Sequence, residues 1–322
     1  MVKKLRVAVV MGGDSAEREI SLLSGQAVLG ALDPGKYEAR PVEVGRLTGE
    51  PASLPEILQN GGVDLAFIAL HGGAGEGGAL QSALEEVGLP YTGSGPKSSA
   101  QALDKIVAQR IFQEAGLLIP RNKGFLGLTP EKLPAACAEA RKSPGLPLVV
   151  KPSREGSTIG ITIVRDEKDL LPAMELARRC GPDLLAEEFI PGIEITAGVL
   201  GRSSPRVLPL VEIVPKSGFY DYHAKYIASD TEKIVPARVP EETAETARGA
   251  AATAYRALGC KGFARVDMIV RGREVFVLEA NTIPGLTSHS LVPRAAEAAG
   301  ISFSALLDEI IESALEEDSH EK

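Results

Sequence analysis

Residues 262–293 read GFARVDMIVRGREVFVLEANTIPGLTSHSLVP, and their alternation decides how the chain is read. From Arg265 to Val270 the period is two. Arg265 and Asp267 fall on one side; Val266, Met268 and Val270 fall on the other. Arg271, Gly272 and Arg273 supply a turn. In the returning strand Phe276, Leu278 and Ala280 are expected on one face, and Glu279 and Asn281 on the opposite one. A hairpin loop of odd length sets Asp267 opposite Glu279 and Arg265 opposite Asn281. One face then carries two carboxylates, a carboxamide and a guanidinium, with an apolar face behind it. Oxygen ligands at this density suit a hard cation such as Mg²⁺, whose shell phosphate oxygens complete. The competing structural role is a solvated face with a cross-strand ion pair.

Working outward, the chain has 322 residues, which predicts two or three domains. Hydrophobic content of 44% with 24% charged residues is that of a soluble globular protein. A net charge of -8 argues against a nucleic-acid partner. The apolar run 7–11 is too short for a signal peptide, and no stretch approaches a membrane span. Cys137, Cys180 and Cys260 lack metal-type spacing and read as reduced thiols, so a cytoplasmic location is expected.

Residues 5–11 and 64–70 read as buried strands and 15–32 and 79–87 as helices, which together imply a doubly wound parallel sheet. Asp14 followed by Glu17 fits a capping box, a structural role for Glu17. A single helix is expected over 98–115, with Asp104 and Lys105 on it. Strands are expected at 148–152, 161–164, 184–190, 194–200 and 206–214, and helices at 131–141, 166–180 and 241–258. The polar stretch 215–236 is long enough for a lid or binding loop. A last amphipathic helix spans 301–316, and the tail 317–322 is polar.

Two nucleotide-binding signatures fail on inspection. The run from Gly73 to Gly78 matches G-x-G-x-x-G between a strand and a helix, but no acidic residue follows about 20 positions on. The run from Gly30 to Lys36 follows a helix, contains Pro34 and lacks the magnesium-binding hydroxyl. The phosphate chemistry lies elsewhere. Lys151 ends an apolar strand directly before a Gly/Ser loop at 153–160, and Lys105 lies upstream. Two lysines beside a loop rich in N–H groups and hydroxyls suit a triphosphate.

These blocks together resemble the D-alanine–D-alanine ligase family of the ATP-grasp superfamily. The resemblance rests on GGDSAEREIS at 12–21, LHG at 70–72, YTGSG at 91–95 and DK at 104–105. It continues through KP at 151–152, EGSTIG at 155–160, YDY at 220–222, KY at 225–226, RVD at 265–267 and LEANTIPGLTSHSLVP at 278–293. It implies an α/β ATP-grasp fold: an N-terminal Rossmann-like parallel-sheet domain at 1–95, a small central domain at 96–186 and a C-terminal domain at 187–316. ATP is held between the last two. It implies ATP contacts from Lys105, Lys151, Glu187, Glu188, Phe189, Ile190, Glu194, Lys225 and Asn281. It assigns Asp267, Glu279 and Asn281 to two Mg²⁺ (or Mn²⁺) ions.

Glu17, Ser157 and Tyr226 are implied to form one hydrogen-bonded set, with Glu17 near the amine of the first D-alanine. His71 is placed at that first site. Ser290 and the N–H of Leu291 receive the second D-alanine's carboxylate, and Arg265 with the Gly285 N–H faces the tetrahedral oxyanion. The implied reaction joins two D-alanines per turnover through D-alanyl phosphate, for peptidoglycan precursors. A homodimer is implied too. The alternatives are a D-alanine–D-lactate or other D-amino-acid ligase, against which Tyr226 argues for lactate, and a non-catalytic ATP-binding regulator. The sequence departs from the family pattern at Gly77 (for Asp), Leu103 (for Met) and Glu188 (for Lys).

Overall fold

A computed structural model of the chain describes residues 3–45, 53–156, 159–202, 204–215 and 231–316. The first part runs β1 (Leu5–Gly12), α1 (Arg18–Ala31), β2 (Tyr37–Val44), α2 (Ser53–Asn60), β3 (Leu65–Ile68), α3 (Gly73–Glu76) and α4 (Ala79–Glu86). Its sheet has the order β2-β1-β3 and is parallel throughout. Strand β1 is central and reads as an unbroken apolar run because both of its faces are covered. Strand β2 is not evident from the sequence. Its middle residues are half-exposed or exposed, so it lacks the apolar signal that marks β1 and β3.

Next come α5 (Pro96–Leu103), α6 (Lys105–Glu114), β4 (Asn122–Phe125), α7 (Leu133–Lys142), β5 (Leu148–Pro152), β6 (Thr162–Val164), α8 (Leu170–Arg178) and β7 (Leu184–Glu188). The expected helix over 98–115 is two helices. Asp104 interrupts it: its extended backbone ends α5, and its carboxylate accepts from the N–H groups of Ile106 and Val107 to start α6. An antiparallel sheet, β4-β7-β5-β6, packs against α7 and α8 around its own core, including Leu148, Val150, Met174 and Leu184. Strand β7 runs across the expected boundary at 186. Ala102, Ala108 and Phe112 of α5 and α6 pack into the core of the last sheet instead.

The remaining elements are β8 (Ile193–Leu200), β9 (Arg206–Val207), β10 (Val211–Val214), β11 (Glu232–Ile234), α9 (Glu241–Ala257), β12 (Phe263–Arg271), β13 (Glu274–Asn281), α10 (Leu291–Ala298) and α11 (Phe303–Leu315). They form an antiparallel sheet of order β11-β10-β8-β12-β13, with β9 beside β8. Alternation divides its faces. Ile195, Ala197, Val266, Met268 and Val277 meet α9 and α6 on one side. On the other side Leu200, Ile213 and Phe263 join α10, α11 and the first sheet in a shared core. That second core fixes the N-terminal sheet against the face that carries Asp267 and Glu279.

The β12–β13 hairpin reaches the expected pairing by a different route. Arg271 pairs with Glu274, so the loop is the two-residue Gly272-Arg273, with Gly272 at φ 63°. An even loop alone would place Asp267 out of register with Glu279. A β-bulge restores it: Met268 pairs with Val277, whereas Asp267 pairs with Glu279, leaving Leu278 as the extra residue. The bulge also overturns the expected apolar face. Val275, Val277 and Ala280 face the helices, and Phe276 does not join them.

Helix α1 approaches β1 closely at Gly25, where an added Cβ would lie 2.7 Å from Met11 Cβ and Sδ. Gly25→Val is expected to destabilise the fold by about 1–3 kcal/mol through overpacking. Gly249→Ala at an exposed position of α9, with nothing within 4 Å, is expected to stabilise it by about 0.5–1 kcal/mol. Thermal unfolding of both variants checks the contrast.

Candidate active site

Strand register builds the site face in rows. Arg265 and Asn281 flank the row that contains Gly198, Asp267 and Glu279 the row that contains Thr196, and Ile269 and Phe276 the row that contains Glu194. Arg265 forks onto Asp267, with Nε donating to Oδ1 at 2.9 Å and Nη2 to Oδ2 at 2.7 Å. Thr196 Oγ1 donates to the same carboxylate at 2.5 Å. Lys105 Nζ lies 3.4 Å from Glu279 Oε2 and donates to the Glu155 carbonyl at 2.7 Å. Asn281 Oδ1 accepts from the Ile283 N–H at 2.9 Å. Among the described residues no group of three or more His, Cys, Asp and Glu is gathered as a metal set. Two carboxylates and a carboxamide fit a hard cation only if phosphate oxygens supply the rest of its shell, the usual arrangement for Mg²⁺.

The lysines are positioned by burial and capping. Lys105 is the first residue of α6, where Asp104 holds both the helix start and the phosphate loop. The Asp104 carboxylate accepts from Ser153 Oγ at 2.7 Å and Arg154 Nε at 2.9 Å. Lys151 lies buried on β5, 2.5 Å from Glu187 Oε1. Gln109 donates to the other Glu187 oxygen at 2.6 Å. Glu187 is therefore committed to Lys151 and Gln109. At the end of β7, Glu188 pairs with Arg121 and Arg271, Phe189 lies under Arg165, and Ile190 is buried. The N–H groups of Glu188 and Phe189 bond to the carbonyls of Arg121 and Pro147.

On the N-terminal side Glu17 directly precedes α1 with no side-chain cap hydrogen bond, so the capping box is not formed. Its carboxylate points inward. An added Cβ on Gly156 would lie 3.1 Å from Glu17 Oε2 and 3.0 Å from Glu76 Oε2, so both carboxyl groups flank the phosphate loop. A gap of about 20 Å³ joins Glu76, Lys105, Gly156, Glu279 and Asn281. Burial, and then repulsion from Glu17, push the Glu76 carboxyl up to about 7, against the Gly72 N–H, Lys105 and Arg265. Near neutrality the Glu76 carboxyl therefore carries a proton part of the time, which eases its repulsion with Glu17.

His71 is buried between the first sheet and the loop after β13. A carbonyl can only accept, so Nδ1–H donates to Ile283 O at 3.0 Å, and Nε2 accepts from Ser24 Oγ at 3.0 Å. Ser24 in turn accepts from the Leu286 N–H at 3.3 Å. Burial holds the imidazole down at about 4, with Arg265 adding to the effect and the Ile283 carbonyl opposing it. The ring is thus neutral at pH 7, and both nitrogens position the 283–286 loop.

That loop leads to Ser290, the residue before α10. The Ser290 hydroxyl accepts from the Thr287 N–H at 3.0 Å rather than capping its own helix. Ser290, Leu291, Gly285, Arg265 and Lys233 line a cleft of about 650 Å³, whose apolar wall includes Ile20 and Leu23 of α1. Sequence reading missed Ser24, Glu76, Gln109, Thr196 and Lys233. Their types are ordinary, and only contacts distant in sequence give them a place. Ser157, Lys225 and Tyr226 lie outside the described residues.

Comparison with known sequences and folds identifies what the chain is similar to. The sequence model described as "D-ala D-ala ligase C-terminus" matches residues 111–312, and that described as "D-ala D-ala ligase N-terminus" matches residues 6–50. The D-alanine–D-alanine ligase of Desulforudis audaxviator (strain MP104C) is 48% identical over 312 residues, 97% of this chain and 99% of that protein. That of Pelotomaculum thermopropionicum is 45% identical over 318 residues, 97% of each chain. Among solved structures, the D-alanine–D-alanine ligase from Bacillus anthracis complexed with ATP superposes with TM-score 0.78 at 33% identity, covering 97% of each chain. The VanG D-Ala:D-Ser ligase from Enterococcus faecalis gives TM-score 0.83 at 34% identity, covering 97% of this chain and 100% of that one.

The neutral His71 ring gives a stability test. Unfolded, His71 takes a proton near its ordinary 6.5; folded, it resists until about 4. Its stabilisation is full above the unfolded value and is lost as pH falls through the folded one. The stability advantage of the wild type over His71→Gln is expected to shrink by up to about 3 kcal/mol between pH 7 and pH 4, as read by urea unfolding at each pH.

Proposed function

The chain belongs to the D-alanine–D-alanine ligase family, and from that premise we propose how its own residues carry out the ATP-dependent joining of two D-alanines. The observation that carries the proposal is the juxtaposition of two parts. The Asp267–Glu279 row faces Lys105, and the same loop that follows it ends at Ser290 and Leu291 in a cleft. A phosphate-handling face and a carboxylate-accepting helix start are thereby consecutive in one stretch of chain.

The first D-alanine's carboxylate attacks the γ-phosphorus of ATP, the bond to the bridging oxygen breaks, and ADP leaves D-alanyl phosphate. Lys105 and Lys151 offset charge on the transferring group. Mg²⁺ or Mn²⁺ held by Asp267, Glu279 and Asn281 supplies further charge neutralisation on the phosphate oxygens when bound. Glu17 receives the ammonium of the first D-alanine. The amine of the second D-alanine, having lost a proton, attacks the acyl carbon. Arg265 and the Gly285 N–H stabilise the oxyanion, and inorganic phosphate departs from the dipeptide. In this reading Glu17, Ser157 and Tyr226 form a hydrogen-bonded set joining the N-terminal domain, the phosphate loop and the 215–236 stretch, which excludes water from the acyl phosphate, and Lys225 contacts ATP. Glu187, Glu188, Phe189, Ile190 and Glu194 border the nucleotide base and ribose.

Further parts of the reading are three domains divided near 95 and 186, two bound cations, a homodimer and a cytoplasmic location. Among the described residues no helix is long and apolar enough to cross a membrane. Other family members differ in their second substrate, as the D-Ala:D-Ser ligase does. Acceptor choice is therefore the property to measure first.

With ATP and Mg²⁺, phosphate release is expected with D-alanine, together with dipeptide in equal amount, and not with L-alanine. D-Lactate or D-serine added beside D-alanine is expected to contribute little mixed product by mass spectrometry. Glu279→Gln is expected to lower kcat by at least about 100-fold, because one anionic ligand of the phosphate-bound cation is lost. Nucleotide binding without any turnover of D-alanine would favour the regulator reading instead.

A further inference from the structure

Lys233 lies on β11, far in sequence from the hairpin, yet register returns it to the site. It pairs with Ile213, and Ile213 pairs with Glu194, the residue that shares a row with Ile269 and Phe276. Directly paired residues share a sheet face, so Lys233 stands on the face that carries Arg265, Asp267 and Glu279. Its ammonium donates to the His289 carbonyl at 2.8 Å, one residue before Ser290. With Arg265, Gly285, Ser290 and Leu291 it lines the 650 Å³ cleft.

The local charge favours an anion. Lys233 and Arg265 both line the cleft, and burial lowers the Lys233 pKa, with Arg294 and Arg265 lowering it further. Arg265 is held by Asp267, but among the described residues no carboxylate pairs with Lys233. Arg294 lies in the first turns of α10, where a cation opposes the helix dipole. An ammonium has three donors, and one is used on His289 O. The lysines read as triphosphate contacts are on other elements, Lys105 on α6 and Lys151 on β5.

We propose that Lys233 binds the carboxylate of the second amino acid, forming an ion pair beside the Ser290 hydroxyl and the Leu291 N–H, and so determines preference for an acceptor that carries a free carboxylate. The proposal rests on the reading of Ser290 and Leu291 as the acceptor site. By holding His289 O as well, Lys233 ties the position of that helix start to the arrival of the acceptor.

The test measures the KM of the second D-alanine, and the use of D-alaninamide as acceptor in the presence of D-alanine as donor. The amide has no carboxylate to phosphorylate, so it can act only as acceptor, and mass spectrometry reads its product. Lys233→Met is expected to raise the acceptor KM about tenfold or more and to reduce the preference for D-alanine over D-alaninamide by a similar factor. The KM for ATP should stay within about twofold, and Lys233→Arg should retain most of the preference. Ser290→Ala is run beside it. If Ser290→Ala shifts acceptor KM while Lys233→Met leaves the preference ratio at the wild-type value, Lys233 only anchors the His289 loop and the proposal is overturned. If neither variant shifts acceptor KM, the acceptor-site reading fails and takes the proposal with it. Should Lys233→Met unfold, Lys233→Gln gives the same comparison.

Discussion

Asp267 and Glu279 face each other across an antiparallel strand pair, and like charges so placed repel. Much of the surrounding structure answers that constraint. Arg265 forks onto one carboxylate and Lys105 approaches the other, so helix α6, whose first residue also bonds to the 153–160 loop, is drawn to the hairpin. Lys105 can reach Glu279 because Asp104 breaks the preceding helix and starts a new one there. The same Asp104 carboxylate holds Ser153 and Arg154. One residue thus sets the helix, the lysine and the loop in a common frame.

Charge is handled similarly on the N-terminal side. Glu17 and Glu76 approach the same glycine, Gly156, and the buried Glu76 carboxyl shifts to hold a proton near neutrality. His71 does the reverse: burial keeps it uncharged, so two nitrogens of fixed role tie α1 to the loop leading to α10. This side of the site face is therefore framed by Glu76 and His71, whose protonation is set by burial first and by neighbours second.

Lys233 fits the same pattern from the opposite edge of the sheet. Its strand contributes three residues and one ammonium, and the register carries that ammonium across to the cleft. Ser24 and Gln109 likewise act through their contacts, with His71 and Leu286 in one case and Glu187 in the other.

The sequence by itself determined the hairpin partners Asp267–Glu279 and Arg265–Asn281, the strands β1, β3, β5 and β7, and the lysines beside a glycine-rich loop. Alternation and apolar runs report faces locally, and these elements have covered faces that keep the pattern clean. Only the tertiary structure decided how the hairpin register is achieved. The loop is even and a bulge at Leu278 corrects it, because packing against α9, not loop length, places Val275, Val277 and Ala280 inward. It also decided that β2 is a strand, that Asp104 splits a helix, and that Glu187 answers to Lys151. Strand β2 and the Lys151–Glu187 pair depend on partners tens of residues away, whose approach is fixed by shared cores and by charge that must be neutralised once it is buried, whereas the Asp104 cap forms within its own turn.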